Sequence, residues 1–245
     1  MKNTLLLTLV ILTAATSGCR KYTGEKAAEQ RRDWVESLND SISAITAARQ
    51  ADSLRLDQLR SRLTEEIDEF TQVANAREVE PYYILKAFKG RYPLSSTGIA
   101  ARMTASEQME LIAALSGARF NSIRVSSQAG SATSLTVPAD QALNYTSGGL
   151  TTVAFSGAQA DSIGMIVADS GEGAVKLEYL QNGAVAKAIT LTPDQKAWVG
   201  KTWSVCGGHQ EARRLENAMM IAGRKIEILR LTIRQEEAKI GASNP

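Results

Sequence analysis

The sequence predicts an α+β protein: a long antiparallel coiled-coil helical hairpin with a small antiparallel β-rich domain inserted at its tip. Three observations predict it. Apolar residues recur at alternating steps of three and four over residues 25–77 and again over 210–240, the spacing of a coiled-coil seam. Between them the composition changes to Ser, Thr, Gly, Ala and Val with sparse charge, broken into short strand-like runs. The two heptad segments also differ in sign: residues 21–80 hold nine basic and thirteen acidic side chains, residues 209–240 seven and five. Opposite charge favours pairing the two segments with each other over pairing each with its own copy.

The chain divides into 1–18 as a leader, 19–80 as the first coiled-coil helix, 81–208 as a β-rich head with short helices, and 209–245 as the returning helix. In the leader, Lys2 supplies a positive n-region and Leu5 to Ala15 an apolar stretch. At roughly 11 residues it suits a signal peptide and is too short to span a bilayer. Small residues then run into a cysteine, Thr16-Ser17-Gly18-Cys19. This stretch resembles the lipobox of bacterial lipoproteins, with Thr16 where that motif usually has Leu. The resemblance implies cleavage before Cys19 and acylation of that residue, palmitate included. Several acyl chains suffice for stable membrane anchoring, where one is marginal. Arg20 and Lys21 follow. With neither Asp at the second mature position nor an acidic cluster, the likeness to lipoprotein sorting signals implies an outer-membrane anchor facing the periplasm.

The first helix carries its seam on Val35, Leu38, Ile42 and Ile45, then Leu56, Leu59 and Leu63, then Phe70 and Val73. Arg49, Asp52 and Glu66 interrupt the grid, and Pro81 marks the stop. In the head, Thr104-Ala-Ser-Glu107 reads as a capping box opening a short helix, Met109 to Leu115, closed by Gly117. Six strand-like runs follow: 120–126, 134–137, 150–155, 162–168, 175–180 and 185–191. Asn182-Gly183 suits a type I′ hairpin turn between the last two. Thr192-Pro193 reads as a cap and first position of a short helix bearing Trp198. Such strands predict an antiparallel sheet, sandwich or partly open barrel. The returning helix places Leu215, Met219, Ala222, Ile226, Leu229, Ile233 and Ile240 on one heptad grid. Being shorter, it is expected to leave the start of the first helix uncovered. Val35, Leu38, Ile42 and Ile45 are therefore the expected interaction stripe, taking a partner's helix or another copy.

Composition narrows the chemistry. The net charge of +2 points to no nucleic-acid partner. With Cys19 acylated, Cys206 is the one remaining thiol, so no internal disulfide forms. Cys206-Gly207-Gly208-His209 offers two metal ligands without a second pair, which excludes a structural zinc site. As nucleophile and base the two would need an orienting carboxylate and an oxyanion pocket. A small-residue joint into the returning helix explains the two glycines more simply. Asp161, Asp169 and Glu172 would gather calcium only if their loops converged. Ser147-Gly148-Gly149 and Ser170-Gly-Glu-Gly173 fit no phosphate-loop pattern. Pro81-Tyr82-Tyr83, Phe88 and Tyr92-Pro93 interleave with Lys86, Lys89 and Arg91. That segment reads as a collar packing the helix end onto the head, with glycan or anion binding as the alternative. No metal and no cofactor is expected.

Heptads that begin soon after Cys19 resemble the arrangement of the murein lipoprotein, in helix character only. This chain ends in Ser243-Asn244-Pro245 without the C-terminal lysine of that family. Efflux-pump adaptors also combine a helical hairpin with β domains, in the reverse order. The expected function is that of a non-enzymatic outer-membrane lipoprotein, a stalk and interaction scaffold bound to the membrane through Cys19 and to a protein partner or itself through the coiled coil. A glycan- or peptide-binding head is the alternative, and an envelope hydrolase using Cys206 and His209 a third reading. A concave aromatic-lined pocket near Tyr82, Tyr92, Trp198 or Trp203 would favour the binding head.

Overall fold

The computed structural model describes residues 24–74, 80–140 and 142–242. The leader, Cys19 and the C-terminal Ser243-Asn244-Pro245 lie outside the described residues. Helix α1 (Gly24–Ile67) leads into strand β1 (Phe70–Val73), then β2 (Tyr82–Leu85) and a short 3-10 helix (Lys86–Arg91). Strands β3 (Gly98–Thr104), β4 (Met109–Ser116), β5 (Ser122–Ser127), β6 (Gly130–Thr133), β7 (Asn144–Ser147) and β8 (Leu150–Ser156) follow. Helix α2 (Ala158–Asp169), β9 (Lys176–Gln181), β10 (Ala184–Thr190) and helix α3 (Pro193–Ala242) complete the order. Among the described residues no helix is long and apolar enough to cross a membrane.

The strands form two antiparallel sheets, one of six in the order β1-β2-β3-β4-β8-β7 and one of four in the order β10-β9-β5-β6. In the six-stranded sheet, Ile99, Ala101, Met103, Met109, Leu111, Ala113, Val153 and Phe155 share one face by register and are all buried. In the four-stranded sheet, Ile123, Val125, Leu177 and Tyr179 share a fully buried face. The Tyr179 hydroxyl donates to the Gly98 carbonyl at 2.9 Å and ties the two sheets together. On the opposite face Glu178 accepts from Arg124 at 2.5 Å and Lys176 at 2.6 Å. These two cations hold its carboxyl below the usual range.

The chain forms two units, which are described separately. Residues 52–218 are the larger one and hold all ten strands found among the described residues, α2, the end of α1 and the start of α3. There the two long helices run antiparallel. Glu69 pairs with Lys201, Leu63 meets Gly208, and Arg55 pairs with Glu211 at 2.8 Å. The second unit contains α1 up to Ala51 and α3 from Met219. Here too the helices run antiparallel, with Arg31 Nη1 4.0 Å from Glu236 and Arg49 within 3.9 Å of a Cβ built on Gly223.

These observations correct the expected fold class. The β region is not a small domain at a hairpin tip. It is a ten-stranded, two-sheet domain inserted mid-chain, and it takes 16 residues of α1 and 26 of α3 into its own compact unit. The long returning helix was hidden because Gly207-Gly208 reads as a break. In fact α3 starts at Pro193, and Trp198, Val199, Thr202, Val205 and Cys206 form one buried helical face. The glycines stand inside the helix; they are not a joint. Thr192 and Gln195 cap its start reciprocally, at 3.2 and 3.0 Å.

Four local expectations also change, the first being that the run 134–137 forms no strand, since β6 ends at Thr133. Met109 to Leu115 is β4, not a helix: every position but Glu110, which pairs with Arg102, is apolar and buried because both faces of this inner strand are covered. Thr104 to Glu107 is accordingly the β3–β4 turn, with Glu107 at φ 61° and the Thr104 hydroxyl accepting from the Gln108 N–H at 3.1 Å. Residues 162–168 lie in α2, where Ala160, Ile163, Gly164, Ile166 and Val167 are buried at helical spacing. The first helix ends at Ile67, and Phe70 and Val73 belong to β1. The hairpin at Asn182-Gly183 is present, with φ of 53° and 85°.

Candidate functional site

Three helical stretches of the larger unit line an open cleft of about 790 Å³. α1 contributes Leu59 between Arg55 and Arg62, α2 contributes Asp161 and Met165, and α3 contributes Trp203, Gly207 and Arg214. Two glycines shape it for opposite reasons. Gly164 lets α2 press on the indole: a Cβ there would stand 2.5 Å from Trp203 Cδ1 and 2.7 Å from Met109 Cε. Gly207 leaves the floor open, since its Cβ would meet nothing within 4 Å. One residue on, Gly208 admits Leu63 of α1, whose Cδ2 would be 2.7 Å from an added Cβ. The pair of glycines is therefore a helix-packing and cleft-forming device.

Electrostatically the cleft is mixed with a positive excess. Its lining holds Arg55, Arg62 and Arg214 against Asp161 and Glu211. Glu211 sits 2.8 Å from Arg55 and 3.9 Å from Arg214. Arg214 keeps 77 % of its side chain exposed, so its guanidinium is open to a ligand. Burial raises the carboxyl pKa of Asp161. Partly covered Trp203 and exposed Met165 supply an apolar, polarisable wall. Together the walls suit a ligand with a flat apolar or sugar face and an anionic group.

The residues singled out in the sequence distribute as follows. Cys206 lies one turn from Trp203 but is buried, and burial, with Asp161 and Glu107 adding to it, pushes its thiol up to about 12. It is protonated and shielded, the opposite of an activated nucleophile. His209 Nδ1 stands 3.3 Å from Glu107 Oε1, and Arg213 holds the other carboxylate oxygen. Asp161 and Asp169 stand at opposite ends of α2. Among the described residues no three His, Cys, Asp or Glu side chains gather for a metal.

The aromatic segment packs as a collar. Phe88 stacks on Trp198 with centroids 4.7 Å apart and planes at 8°, and Tyr92 meets both Trp198 and Tyr82 edge-on. Behind it the Arg102 guanidinium covers the Tyr82 ring at 4.2 Å and donates to Glu110 at 2.7 Å and to the Tyr92 hydroxyl at 3.2 Å. A hollow of about 260 Å³ opens beside Tyr82, Tyr92, Arg102 and Tyr145. Of the aromatic positions proposed to line a pocket, Trp203 faces the larger cleft, Tyr82 and Tyr92 the smaller hollow, and Trp198 is used in packing. Met165 and the three arginines carried no signal of their own in the sequence, and Leu59 only that of a seam position. The Gly207-Gly208 pair was the signal, read differently.

The stripe Val35, Leu38, Ile42 and Ile45 lies on α1 between Arg31 and Arg49, alongside α3 between Glu236 and Gly223. Leu38 is 4 % exposed and the other three are partly covered. The returning helix reaches it because α1 ends at Ile67, so that Leu63 already meets Gly208 and the register carries α3 back as far as Arg31 beside Glu236.

No family model, no curated protein and no solved structure matches the chain.

Proposed function

We propose that the protein is a non-enzymatic outer-membrane lipoprotein, anchored through Cys19, that serves as an interaction scaffold and holds an anionic glycan or peptide in the Trp203 cleft. The observation that carries the reading is the cleft itself: a hollow of about 790 Å³ with an indole, an exposed thioether and three arginines on its walls. That combination is typical of sites which orient a ligand by a few polar groups over an apolar wall. The buried, protonated Cys206 supplies no nucleophile to it.

The test titrates the purified chain with a soluble peptidoglycan fragment, which offers sugar faces and carboxylates together, and follows binding by titration calorimetry. Trp203→Ala and Arg55→Ala are each expected to weaken binding by about tenfold or more, the size of a lost aromatic or charge-assisted contact. Binding that survives both substitutions, or no binding at all, overturns the cleft as the site. Anchoring is tested apart from this by labelling cells with a fatty-acid analogue, which should mark the wild type and not Cys19→Ser.

A further inference from the structure

Helix α3 carries two apolar seams on opposite faces over its last 24 residues. One seam, through Ile226 and Ile233, is buried at 6 % and 8 % exposure. The other runs through Ile221, Ile228 and Leu231 with Met220 at its edge, and these remain 55, 63, 53 and 49 % exposed. Ile226 and Ile228 are two residues apart and hence roughly 200° apart around the helix, so the helix covering the first seam does not reach the second. With Arg224 and Gln235 the outer face keeps the three–four spacing of a coiled coil, 221, 224, 228, 231, 235.

We propose that this outer face docks a second copy of the same chain, α3 against α3 in antiparallel orientation about a two-fold axis between Leu229 and Arg230. Charge chooses the occupant and the direction. On this grid Glu227 and Arg234 occupy the same flanking column, one heptad apart. In an antiparallel pair that column faces its own copy, which sets Glu227 of each chain against Arg234 of the other, twice by symmetry. Neither residue has an ion-pair partner among the described residues. The same register places Ile228 against Leu231 and the seam's Arg224 against Gln235. A parallel pair would instead stack Arg224 on its copy and bring Arg234 beside Lys239, both repulsive. A self-complementary patch of this kind closes at two chains. The inference depends neither on the ligand cleft nor on the acyl anchor.

The experiment uses the full chain with Cys19→Ser in mild detergent at micromolar concentration, with mass measured by sedimentation. The parent is expected to be a dimer. Glu227→Arg and Arg234→Glu should each weaken it by about tenfold or more, and the double reversal should recover affinity to within about threefold. All four positions tested by substitution to Glu or Arg (Glu227, Ile228, Leu231, Arg234) are exposed, and far-UV circular dichroism verifies that helicity is kept. Direction is read by cysteine pairing: Ile221→Cys mixed with Ala238→Cys should form a disulfide between the two chains, and Ile221→Cys alone should not. A monomeric parent, a dimer that persists in Ile228→Glu/Leu231→Glu, or self-pairing of Ile221→Cys would each overturn the proposal.

Discussion

Gly164 and Gly207 should respond to the same substitution with opposite sign. Both are helical glycines, so replacing either by alanine gains about 1 kcal/mol of helix propensity. At Gly164 the new methyl would stand 2.5 Å from Trp203 Cδ1, 2.7 Å from Met109 Cε and 2.8 Å from Trp203 Cγ. Ordinary carbon contacts lie near 3.5–4.0 Å, so the indole must retreat by about 1 Å. Overpacking of this kind costs about 1–3 kcal/mol before the propensity gain, and two rigid-ring atoms and Met109 Cε must all give way, so the upper part of that range applies. The net expectation is a loss of about 1–2 kcal/mol for Gly164→Ala. At Gly207 nothing lies within 4 Å of the added atom, and the full gain of about 1 kcal/mol should appear. For a unit of this size 1 kcal/mol moves Tm by roughly 2–4 °C. Thermal melts followed by circular dichroism at 222 nm read both changes, and near-ultraviolet circular dichroism reads the displaced indole. A Gly164→Ala variant as stable as the parent, or a Gly207→Ala variant less stable, would refute the packing argument that shapes the cleft.

Two further outcomes are expected. Leu38→Ala removes a buried side chain from the paired-helix unit and should cost about 2–3 kcal/mol, the low end for leucine because its seam neighbours are only partly covered; urea unfolding should show the loss in an early transition that leaves the larger unit's transition in place. Cys206 should resist iodoacetamide at pH 8 in the native chain and react once the chain is unfolded, since burial lifts its thiol to about 12. The same shift has a thermodynamic sign: an unfolded thiol ionises near 8.5 and the folded one does not, so its contribution to stability is intact below that value and falls as pH rises from about 9 to 12. Rapid native modification would contradict the buried geometry.

Some of the fold is local chemistry and was legible. Asn182-Gly183 fixes a hairpin through its positive φ angles, Thr192 with Gln195 caps a helix, and β5, β8, β9 and β10 follow β-branched and aromatic runs. What misled were segments whose pattern is set by burial on both sides. Met109 to Leu115 has no polar alternation because inner strand β4 is covered on both faces, and without alternation a strand resembles a buried helix. Ile163 to Val167 gave the converse error. Gly207-Gly208 was read by propensity, which predicts a break, when the deciding term was the approach of Leu63. Running the first helix on through Phe70 and Val73, which are β1, displaces the expected pairing register, and in that register the Val35–Ile45 stripe lies beyond the reach of α3. For the site, Trp203 was legible as an aromatic candidate. Its neighbours come from α1 and α2, 140 and 40 residues away in round terms, a distance that no local pattern spans.

Because α1 finds its covering helix at the far end of the chain, its seam has a waiting time. In the paired-helix unit Arg31 lies by Glu236, so the partner of Leu38 emerges about 190 residues after it. At 5–20 residues per second that is roughly 10–40 s of synthesis. For that interval an amphipathic helix former is exposed with nothing to pack against, while isolated helices relax in about a microsecond. The covering of the stripe is therefore a late event, and assembly order is written into the positions of the two helices in the gene.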